Sequence, residues 1–258
     1  MIDVHCHISA SEFSEDFNDL INEAKKVGVE AIVAVSEFPS DFQKVIKLSE
    51  LYPNFIYPCI GVHPVQESNQ SVSLETMQIA EKFIQDYNKI LVGIGEIGLD
   101  FTPRYINSPT DKAVQRDVFQ KQVALAKEYN LPVNVHSRSA GRPVIDLLIE
   151  QGATKVLLHA FDGKISVAIR GVEAGYYFSV PPCIVRSEQK QKLVAAIPLS
   201  NLLLETDAPA LGPNITMRNV PANIMISCRE VARIKNISFE EVFFQTSQNA
   251  RKLFDKIK

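Results

Sequence analysis

Short apolar segments alternate with amphipathic segments along the whole chain. The apolar segments are rich in Val, Ile and Leu, as expected for strands that are buried on both faces. The predicted strands are Ile2–Ile8, Ala31–Val35, Ile56–Val62, Ile90–Gly95, Pro132–His136, Lys155–His159, Tyr176–Val180 and Asn201–Thr206. Strand–helix alternation that repeats eight times, at about 30 residues a unit, predicts a closed parallel (β/α)8 barrel.

Predicted helices fill the gaps between these strands. They cover Phe17–Val27, Phe42–Leu51, Leu74–Tyr87, Val114–Tyr129, Val144–Ile149, Val167–Ala174 and Gln189–Ala196. Two further helices, Ala222–Ile234 and Phe239–Phe254, follow the last strand. Ser238 and Glu241 have the spacing of a capping box at the start of the final helix. We therefore predict an α/β fold, a TIM-type barrel with additional C-terminal helices.

An open doubly wound sheet is the alternative fold for this alternation. It predicts a glycine-rich turn after the first strand. The chain instead reads Ile8-Ser-Ala-Ser-Glu12 at that point, without a glycine. The 258 residues suit one barrel, and no linker or low-complexity segment divides them. We therefore expect a single domain that spans residues 1–258.

Charge and composition limit the functions that this chain can have. The formal net charge is −3 and no run of Lys or Arg is present, so any contact with phosphate must be local. No apolar segment approaches the ~20 residues of a membrane span, and the start MIDVHCHI lacks the features of a signal peptide. The four cysteines are scattered, as reduced thiols are. These features predict residence in the cytoplasm, with the nucleus as an alternative. We also expect a monomer.

The histidines share one position in the predicted fold. Each lies at the carboxyl end of a predicted strand: His5, His7, His63, His136 and His159. Glu96 and Asp207 follow the fourth and the eighth strand. This edge carries the active sites of (β/α)8 barrels, and a histidine kept only for packing has no reason to prefer it. We interpret the set as a metal-binding site.

The first strand supplies a chelating pair. His5 and His7 lie two residues apart, so both point to one face of the strand and can bind one metal. His136 and His159 would serve a second metal. For each histidine alone, a hydrogen-bonded position in the core is the alternative.

The two acids end apolar strands, where a carboxylate is costly unless it is paired or coordinated. Glu96 has two oxygens and can bridge two cations. Asp207 can hold an attacking water and accept its proton. A structural salt bridge is the alternative for each acid.

Four other residues at the same edge are candidates for substrate contact. His63 could donate to a substrate phosphate or support the metal ligands. Arg104, Ser137 and Arg138 lie on the predicted loops there. A guanidinium group suits phosphate oxygens, although solvated loop charges are the alternative for each arginine.

Seven short segments carry a resemblance that extends over nearly the whole chain. They are Asp3-Val-His-Cys-His7, Gly61-Val-His-Pro64, Gly95-Glu-Ile-Gly-Leu-Asp100, Leu131-Pro-Val-Asn-Val-His-Ser-Arg138, His159-Ala-Phe-Asp-Gly163, Glu205-Thr-Asp-Ala-Pro209 and Asn249-Ala250. In this order they are similar to the motifs of the TatD family, which are metal-dependent deoxyribonucleases among the amidohydrolase-like barrels.

The resemblance implies a TIM-type barrel and two divalent metal ions. It implies metal ligands at His5, His7, Glu96, His136, His159 and Asp207, with Glu96 as the bridge. It also implies that DNA phosphodiester bonds are hydrolysed, from an end or in a single strand, by a metal-activated water beside Glu96 and Asp207. Histidine-rich ligation favours zinc, with Mg²⁺ or Mn²⁺ as alternatives.

Three positions depart from the usual pattern of the family and leave the substrate open. They are Ser139, Ala210 and Val220, and none of them is a predicted metal ligand. A hydrolase of other phosphoesters, amides or lactones on the same barrel is therefore an alternative. Barrels of that kind often bridge their metals with a modified lysine, and here the fourth strand ends in Glu96 instead. A non-catalytic metal-binding scaffold is a further alternative.

Overall fold

The computed structural model describes residues 1–258, apart from the side chain of Ser68. The barrel strands are β1 (Ile2–Cys6), β2 (Ala31–Val35), β3 (Ile56–Cys59), β4 (Ile94–Gly98), β5 (Val133–His136), β6 (Val156–Leu158), β7 (Tyr177–Val180) and β8 (Leu202–Leu204). The helices are α1 (Phe17–Lys26), α2 (Pro39–Leu51), α3 (Leu74–Tyr87), α4 (Pro109–Glu128), α5 (Gly141–Glu150), α6 (Ile165–Glu173), α7 (Glu188–Ala196), α8 (Ile224–Lys235) and α9 (Phe239–Leu253).

The eight strands run parallel and close into a barrel. One ladder joins β1, β2 and β3, and another joins β4 to β8 in chain order. The two ladders meet where Cys59 bridges to Gly93, just before β4. On the other side, the backbone N–H of Asp207 donates to the carbonyl of His5 at 2.9 Å. The prediction of a TIM-type barrel is confirmed.

A carboxylate reinforces the closing seam between the first and last strands. Asp3 of β1 is fully buried. It accepts hydrogen bonds from the backbone N–H of Thr206 at 2.9 Å and from the Thr206 hydroxyl at 2.5 Å. A side chain thus supplies part of the hydrogen bonding that a backbone ladder supplies elsewhere in the barrel.

The barrel interior is packed with side chains. Along β2, Ile32 belongs to the same apolar cluster as Val45 of α2 and therefore faces the helices. Its neighbour Val33 belongs to a separate cluster with Leu157 of β6 and Leu203 of β8. Alternate residues of one strand thus fill the two layers on either side of the sheet, as in other barrels of this type.

Most predicted elements have their expected positions, and two differences bear on the site. The fourth strand begins at Ile94 rather than at Ile90, so Glu96 lies within β4 and not after it. Ile90 is 46% exposed, and its N–H donates to the carbonyl of Tyr87 in the turn that ends α3. A short hairpin that pairs Val65–Gln66 with Gln70–Ser71 was not predicted.

Local capping explains where several helices begin. Helix α4 starts at Pro109, earlier than predicted, because Asp111 accepts from the N–H of Ser108 at 2.9 Å. The hydroxyl of Ser238 accepts from the N–H of Glu241 at 3.1 Å, as predicted for the start of α9. Among the described residues, no helix is both long enough and apolar enough to cross a membrane.

Candidate metal centre

A cleft of about 520 Å³ opens at the carboxyl ends of the barrel strands. Five of the predicted metal ligands line it: His7, Glu96, His136, His159 and Asp207. The sixth, His5, is fully buried beside them, and its ring stacks on that of His159 with the centroids 3.8 Å apart. The structure therefore brings all six predicted ligands together.

One half of the site is formed by the chelating pair of β1 and by Asp207. The Nε2 atoms of His5 and His7 lie 3.3 Å and 3.2 Å from Asp207 Oδ1. They also lie 3.5 Å and 3.4 Å from Glu96 Oε2. Two imidazole nitrogens and two carboxylate oxygens thus converge from β1, β4 and the segment after β8.

The other half is formed around the second oxygen of Glu96. His136 Nδ1 and His159 Nε2 each lie 2.8 Å from Glu96 Oε1. His63 Nε2 lies 3.6 Å from the same oxygen. Glu96 thus presents one oxygen to each half of the site, which is the arrangement that a bridging carboxylate needs.

The donor atoms themselves fit a divalent cation. The Nε2 atoms of His5 and His7 lie 3.3 Å apart. In the other half of the site, His136 Nδ1 lies 3.4 Å from His159 Nε2. Imidazole nitrogens that face each other around a common point, with carboxylate oxygens beside them, form the donor set of zinc and similar metals.

A buried amide fixes which nitrogen of His5 faces the centre. The side-chain amide of Asn134 donates to the carbonyl of Val4 at 2.9 Å, and this directs its oxygen at His5 Nδ1, 2.8 Å away. His5 Nδ1 therefore carries the proton and donates to Asn134. When the ring is neutral, as metal binding requires, the lone pair of His5 Nε2 is left facing the site, as hydrogen-bond partners behind metal-bound histidines commonly arrange.

Asp100 has the same role for His136. Its Oδ2 lies 3.1 Å from His136 Nε2, on the opposite side of the ring from Glu96. His136 Nε2 therefore donates to Asp100, and Nδ1 faces the centre. Sequence reasoning did not single out Asn134 or Asp100, although both are polar residues on or just after apolar strands.

Glu37 is a further acid at the rim that the sequence did not indicate. It follows β2, and its Oε2 lies 3.8 Å from His7 Nδ1. The available signal was a Ser-Glu pair at the end of an otherwise apolar strand. Because β2 supplies no histidine, that signal did not stand out from an ordinary loop charge.

Charges in the metal-free site are strongly coupled. Burial opposes the charged form of His7 and His136, but neighbouring carboxylates prevail and raise the pKa of each to about 9. Burial instead lowers the pKa of His159 to about 3 and that of His63 to about 4. Although burial opposes its ionisation, Glu96 keeps a pKa well below the usual range because histidines surround it, His159 first among them.

Glu205 completes the buried surroundings of His159. Burial raises the pKa of Glu205 to about 8. Its Oε2 accepts from the Ser179 hydroxyl at 2.5 Å, and its Oε1 accepts from the N–H of Ala160 at 2.9 Å. Oε2 also lies 3.9 Å from His159 Nδ1. Glu205 therefore supports the segment that carries His159.

The predicted substrate contacts divide into two groups. His63 lines the cleft, whereas Ser137 lines a smaller recess beside it and Arg138 lines both. Arg104 instead stacks on the ring of Tyr105, at 4.6 Å from its centroid, and lines a separate surface depression. The structure does not bring Arg104 to the metal ligands, and its contact with substrate stays a prediction.

The three departures from the family pattern also separate in space. Ala210 lines the cleft. Val220 packs against the apolar core, and Ser139 is an exposed residue with a φ of 55° at the turn before α5. Of the three, Ala210 is therefore the one that can contact a molecule in the cleft.

Comparison with known proteins extends this picture over the whole chain. The human protein named "Deoxyribonuclease TATDN3" is 54% identical over 262 residues, which cover 100% of this chain and 96% of that protein. The Bacillus subtilis protein named "Uncharacterized metal-dependent hydrolase YabD" is 34% identical, with 98% of each chain covered. The crystal structure of YJJV, a TATD homologue from Escherichia coli, superposes with a TM-score of 0.89 at 27% identity and covers 99% of this chain and 98% of its own.

The family assignment follows from the match to a family model. The model described as "TatD related DNase" matches residues 2–255, which include all six residues that converge in the cleft. Because this match extends over nearly the full length, the chain belongs to the TatD related DNase family.

Proposed function

We propose that this protein is a metal-dependent deoxyribonuclease that hydrolyses phosphodiester bonds of DNA in the cleft at the carboxyl ends of its barrel strands. The observation that carries the proposal is the position of Glu96. One of its oxygens faces two histidine nitrogens at β1, and the other faces two histidine nitrogens from β5 and the segment after β6. The family to which the chain belongs, and relatives named as deoxyribonucleases, support DNA as the substrate.

Two divalent ions fit the donor set. His5, His7 and Asp207 would hold one, His136 and His159 would hold the other, and Glu96 would contact both. The nitrogen-rich set favours zinc, with Mn²⁺ as an alternative, whereas Mg²⁺ prefers oxygen ligands. When bound, such ions lower the pKa of water and offset negative charge on a phosphoryl group.

Asp207 is the residue that we propose accepts a proton from the attacking water. It lines the cleft, and its carboxylate faces His5 and His7. Burial opposes its ionisation, but the hydrogen bonds from the two histidines hold its pKa below the usual range. The carboxylate form is therefore present at neutral pH, as a proton acceptor requires.

His63 and Arg138 complete the proposed machinery with different roles. The N–H of Val65 donates to His63 Nδ1 at 3.0 Å, the carbonyl oxygen of Val65 lies 2.7 Å from the same nitrogen, and His63 Nε2 lies 3.6 Å from Glu96 Oε1. Burial lowers the pKa of His63 to about 4, so the ring is neutral at pH 7 and offers no positive charge to a phosphate oxygen. Arg138 lies at the edge of the cleft with its side chain 49% exposed, where its guanidinium can meet a phosphate.

The test is hydrolysis of single- and double-stranded DNA by the metal-loaded protein, with and without a chelator. We expect cleavage that the chelator abolishes and that added metal restores. Asp207→Asn should lower turnover at least a hundredfold while the thermal transition stays cooperative. Asp146→Asn, which removes an exposed acid paired with Arg170, is the matched control. Cleavage that resists chelation, or near-normal activity of Asp207→Asn, would contradict the proposal.

A panel of phosphomonoesters, lactones and amides, run beside DNA, separates this function from the other hydrolases that the sequence leaves open. A non-catalytic scaffold would cleave none of them. Cleavage from a strand end, the single-domain organisation, the monomeric state and residence in the cytoplasm stay predictions from the sequence.

A further inference from the structure

A second recess, of about 110 Å³, lies beside the metal centre. His159 and Asp207 line one side of it, and Ser137, Arg138 and Lys190 also line it. We infer that this recess binds the phosphate that neighbours the scissile phosphate along the DNA strand. The inference rests on the proposed deoxyribonuclease function and adds to it the side on which the strand runs.

Lys190 of α7 is held at this recess by backbone carbonyls. Its Nζ donates to the carbonyl of Ala160 at 2.5 Å and lies 3.4 Å from the carbonyl of Phe161. An ammonium group has three hydrogens, so one remains for a ligand. Because Ala160 directly follows His159, the charge of Lys190 is positioned next to a predicted metal ligand. Asp162 and Asp207 also line the recess, but the hydrogen bonds of Lys190 go to backbone carbonyls rather than to either acid.

Arg138 adds a second cation with free donors. Its Nη1 lies 3.9 Å from Asp100 Oδ2, which is beyond the reach of a hydrogen bond. A guanidinium has five N–H donors in a planar fork that matches the oxygens of a phosphate. Arg138 lines both the cleft and the recess, so it can contact the scissile phosphate and its neighbour.

The opposite wall of the cleft has the reverse charge. Its acidic residues are Glu12, Glu37, Asp41 and Glu67. Lys44 is a cation among them, with its Nζ 3.6 Å from Asp41 Oδ1, so this wall keeps an excess of carboxylates. A phosphate on this side would meet carboxylates, which repel it. The strand should therefore leave the metal centre toward Arg138 and Lys190.

This asymmetry has a chemical consequence for small substrates. A dinucleotide with a single phosphodiester carries no neighbouring phosphate. A terminal phosphate on one end would enter the recess, and one on the other end would face the acidic wall. One of the two additions should therefore improve hydrolysis, and the other should not.

The test compares thymidine dinucleotides that have no terminal phosphate, a 5′-phosphate or a 3′-phosphate. In the wild-type protein, one terminal phosphate should raise kcat/KM about tenfold, the value of a single charge-assisted hydrogen bond. The gain is measured within each variant, as the ratio of kcat/KM for the phosphorylated dinucleotide to kcat/KM for the unphosphorylated one. In Lys190→Gln this gain should disappear. Lys190→Arg should restore it. Lys192→Gln, on the same helix but paired with Glu188, is the control that keeps the gain.

A merely structural role of Lys190 in supporting His159 would lower hydrolysis of all three dinucleotides alike and leave the ratio unchanged. Binding of a single-stranded oligonucleotide, measured with a chelator present so that it is not cut, gives a second readout. The slope of log affinity against log salt should be less steep by about 0.7 in Lys190→Gln than in the wild type or in Lys192→Gln.

The inference is overturned if both readouts are the same in Lys190→Gln and Lys192→Gln, or if the two terminal phosphates have equal effects. In those cases the wild type still cleaves a longer oligonucleotide, and the proposed function stands. If the metal-loaded wild type cleaves no DNA at all, the proposed function fails and the recess has no role in it.

Discussion

His5 Nδ1 donates to Asn134 Oδ1 at 2.8 Å, although the two residues are 129 positions apart in the chain. The packing around this bond is close. A Cβ atom on Gly95 of β4 would come within 2.5 Å of Asn134 Cβ, so the glycine leaves room for the asparagine. The metal-facing lone pair of His5 therefore depends on contacts among β1, β4 and β5.

We expect Asn134→Leu to weaken divalent metal binding at the His5–His7 half of the site by tenfold to a hundredfold. The change removes the acceptor for His5 Nδ1–H and so leaves the ring free to turn, and loss of such partners has that effect in other metal sites. Titration calorimetry with Zn²⁺ and the metal count from native mass spectrometry measure it.

The matched control is Asn249→Leu. Asn249 is a buried asparagine of α9 that donates to the carbonyls of Leu199 and Leu202, far along the chain from the ligands. This variant should lose stability but keep its metal affinity. Equal metal affinity in Asn134→Leu and in the wild type would show that His5 does not need the amide.

Glu96→Gln should lower the number of bound metal ions per chain and abolish turnover. Glutamine keeps one carbonyl oxygen but replaces the other with an NH₂ group, which cannot act as a ligand. The two halves of the site then no longer share a carboxylate. Metal analysis after dialysis measures the count, and Glu173→Gln, at an exposed position of α6, is the control. A full complement of metal in Glu96→Gln would contradict the bridging role.

The metal-free protein should lose stability as the pH rises from about 6.5 to about 9. The pKa of His7 and of His136 is about 9 in the folded protein, against 6.5 for an unperturbed histidine. The folded state therefore binds more protons than the unfolded state in this interval, and the free energy of unfolding falls as the pH rises. Burial raises the pKa of Asp3 to about 7 and that of Glu205 to about 8, which acts in the same direction.

Urea denaturation in the presence of a chelator, at a series of pH values, measures this slope. The stability of the metal-loaded protein should depend less steeply on pH over the same interval, because bound metal keeps the histidines deprotonated and leaves only groups such as Asp3 and Glu205 to titrate. His136→Asn should make the slope of the metal-free protein shallower. Stability of the metal-free protein that is constant or increases with pH would contradict the raised pKa values.

Thr206→Val should destabilise the barrel by about 1–3 kcal/mol, the usual effect of leaving a buried oxygen without its donor. The variant keeps the shape of the side chain but removes the hydroxyl that donates to Asp3. Thr246→Val is the control, because its hydroxyl donates within α9 to the carbonyl of Val242, where the expected effect is small. If both variants lose the same small amount of stability, Asp3 does not reinforce the seam.

The sequence alone was sufficient for the barrel and for the six residues that meet in the cleft. Both depend on local sequence patterns, namely short apolar strands and the polar side chains that end them. His136, for example, is the last residue of β5 as predicted. The positions of the histidines on the predicted strands also indicated two groups of ligands, and the family motifs implied the same division.

Features that depend on distant partners could not be predicted in this way. Asn134 and Lys190 have no neighbour in sequence that indicates their bonds to His5 and to the carbonyl of Ala160. Stacking also depends on the fold: the guanidinium of Arg104 lies over the ring of Tyr105, and the predicted contact of Arg104 with substrate stays a prediction. The start of β4 was misplaced because Ile90 is apolar but lies exposed in the turn after α3.

The seam between the first and last strands makes the convergent site depend on closure of the barrel. Asp207 and Thr206 lie about 200 residues after His5 and His7 along the chain. The Asp207 N–H donates to the carbonyl of His5 only once β8 has met β1. A variant truncated before β8 therefore cannot bring the six convergent residues together. The cleft is complete only when the barrel has closed.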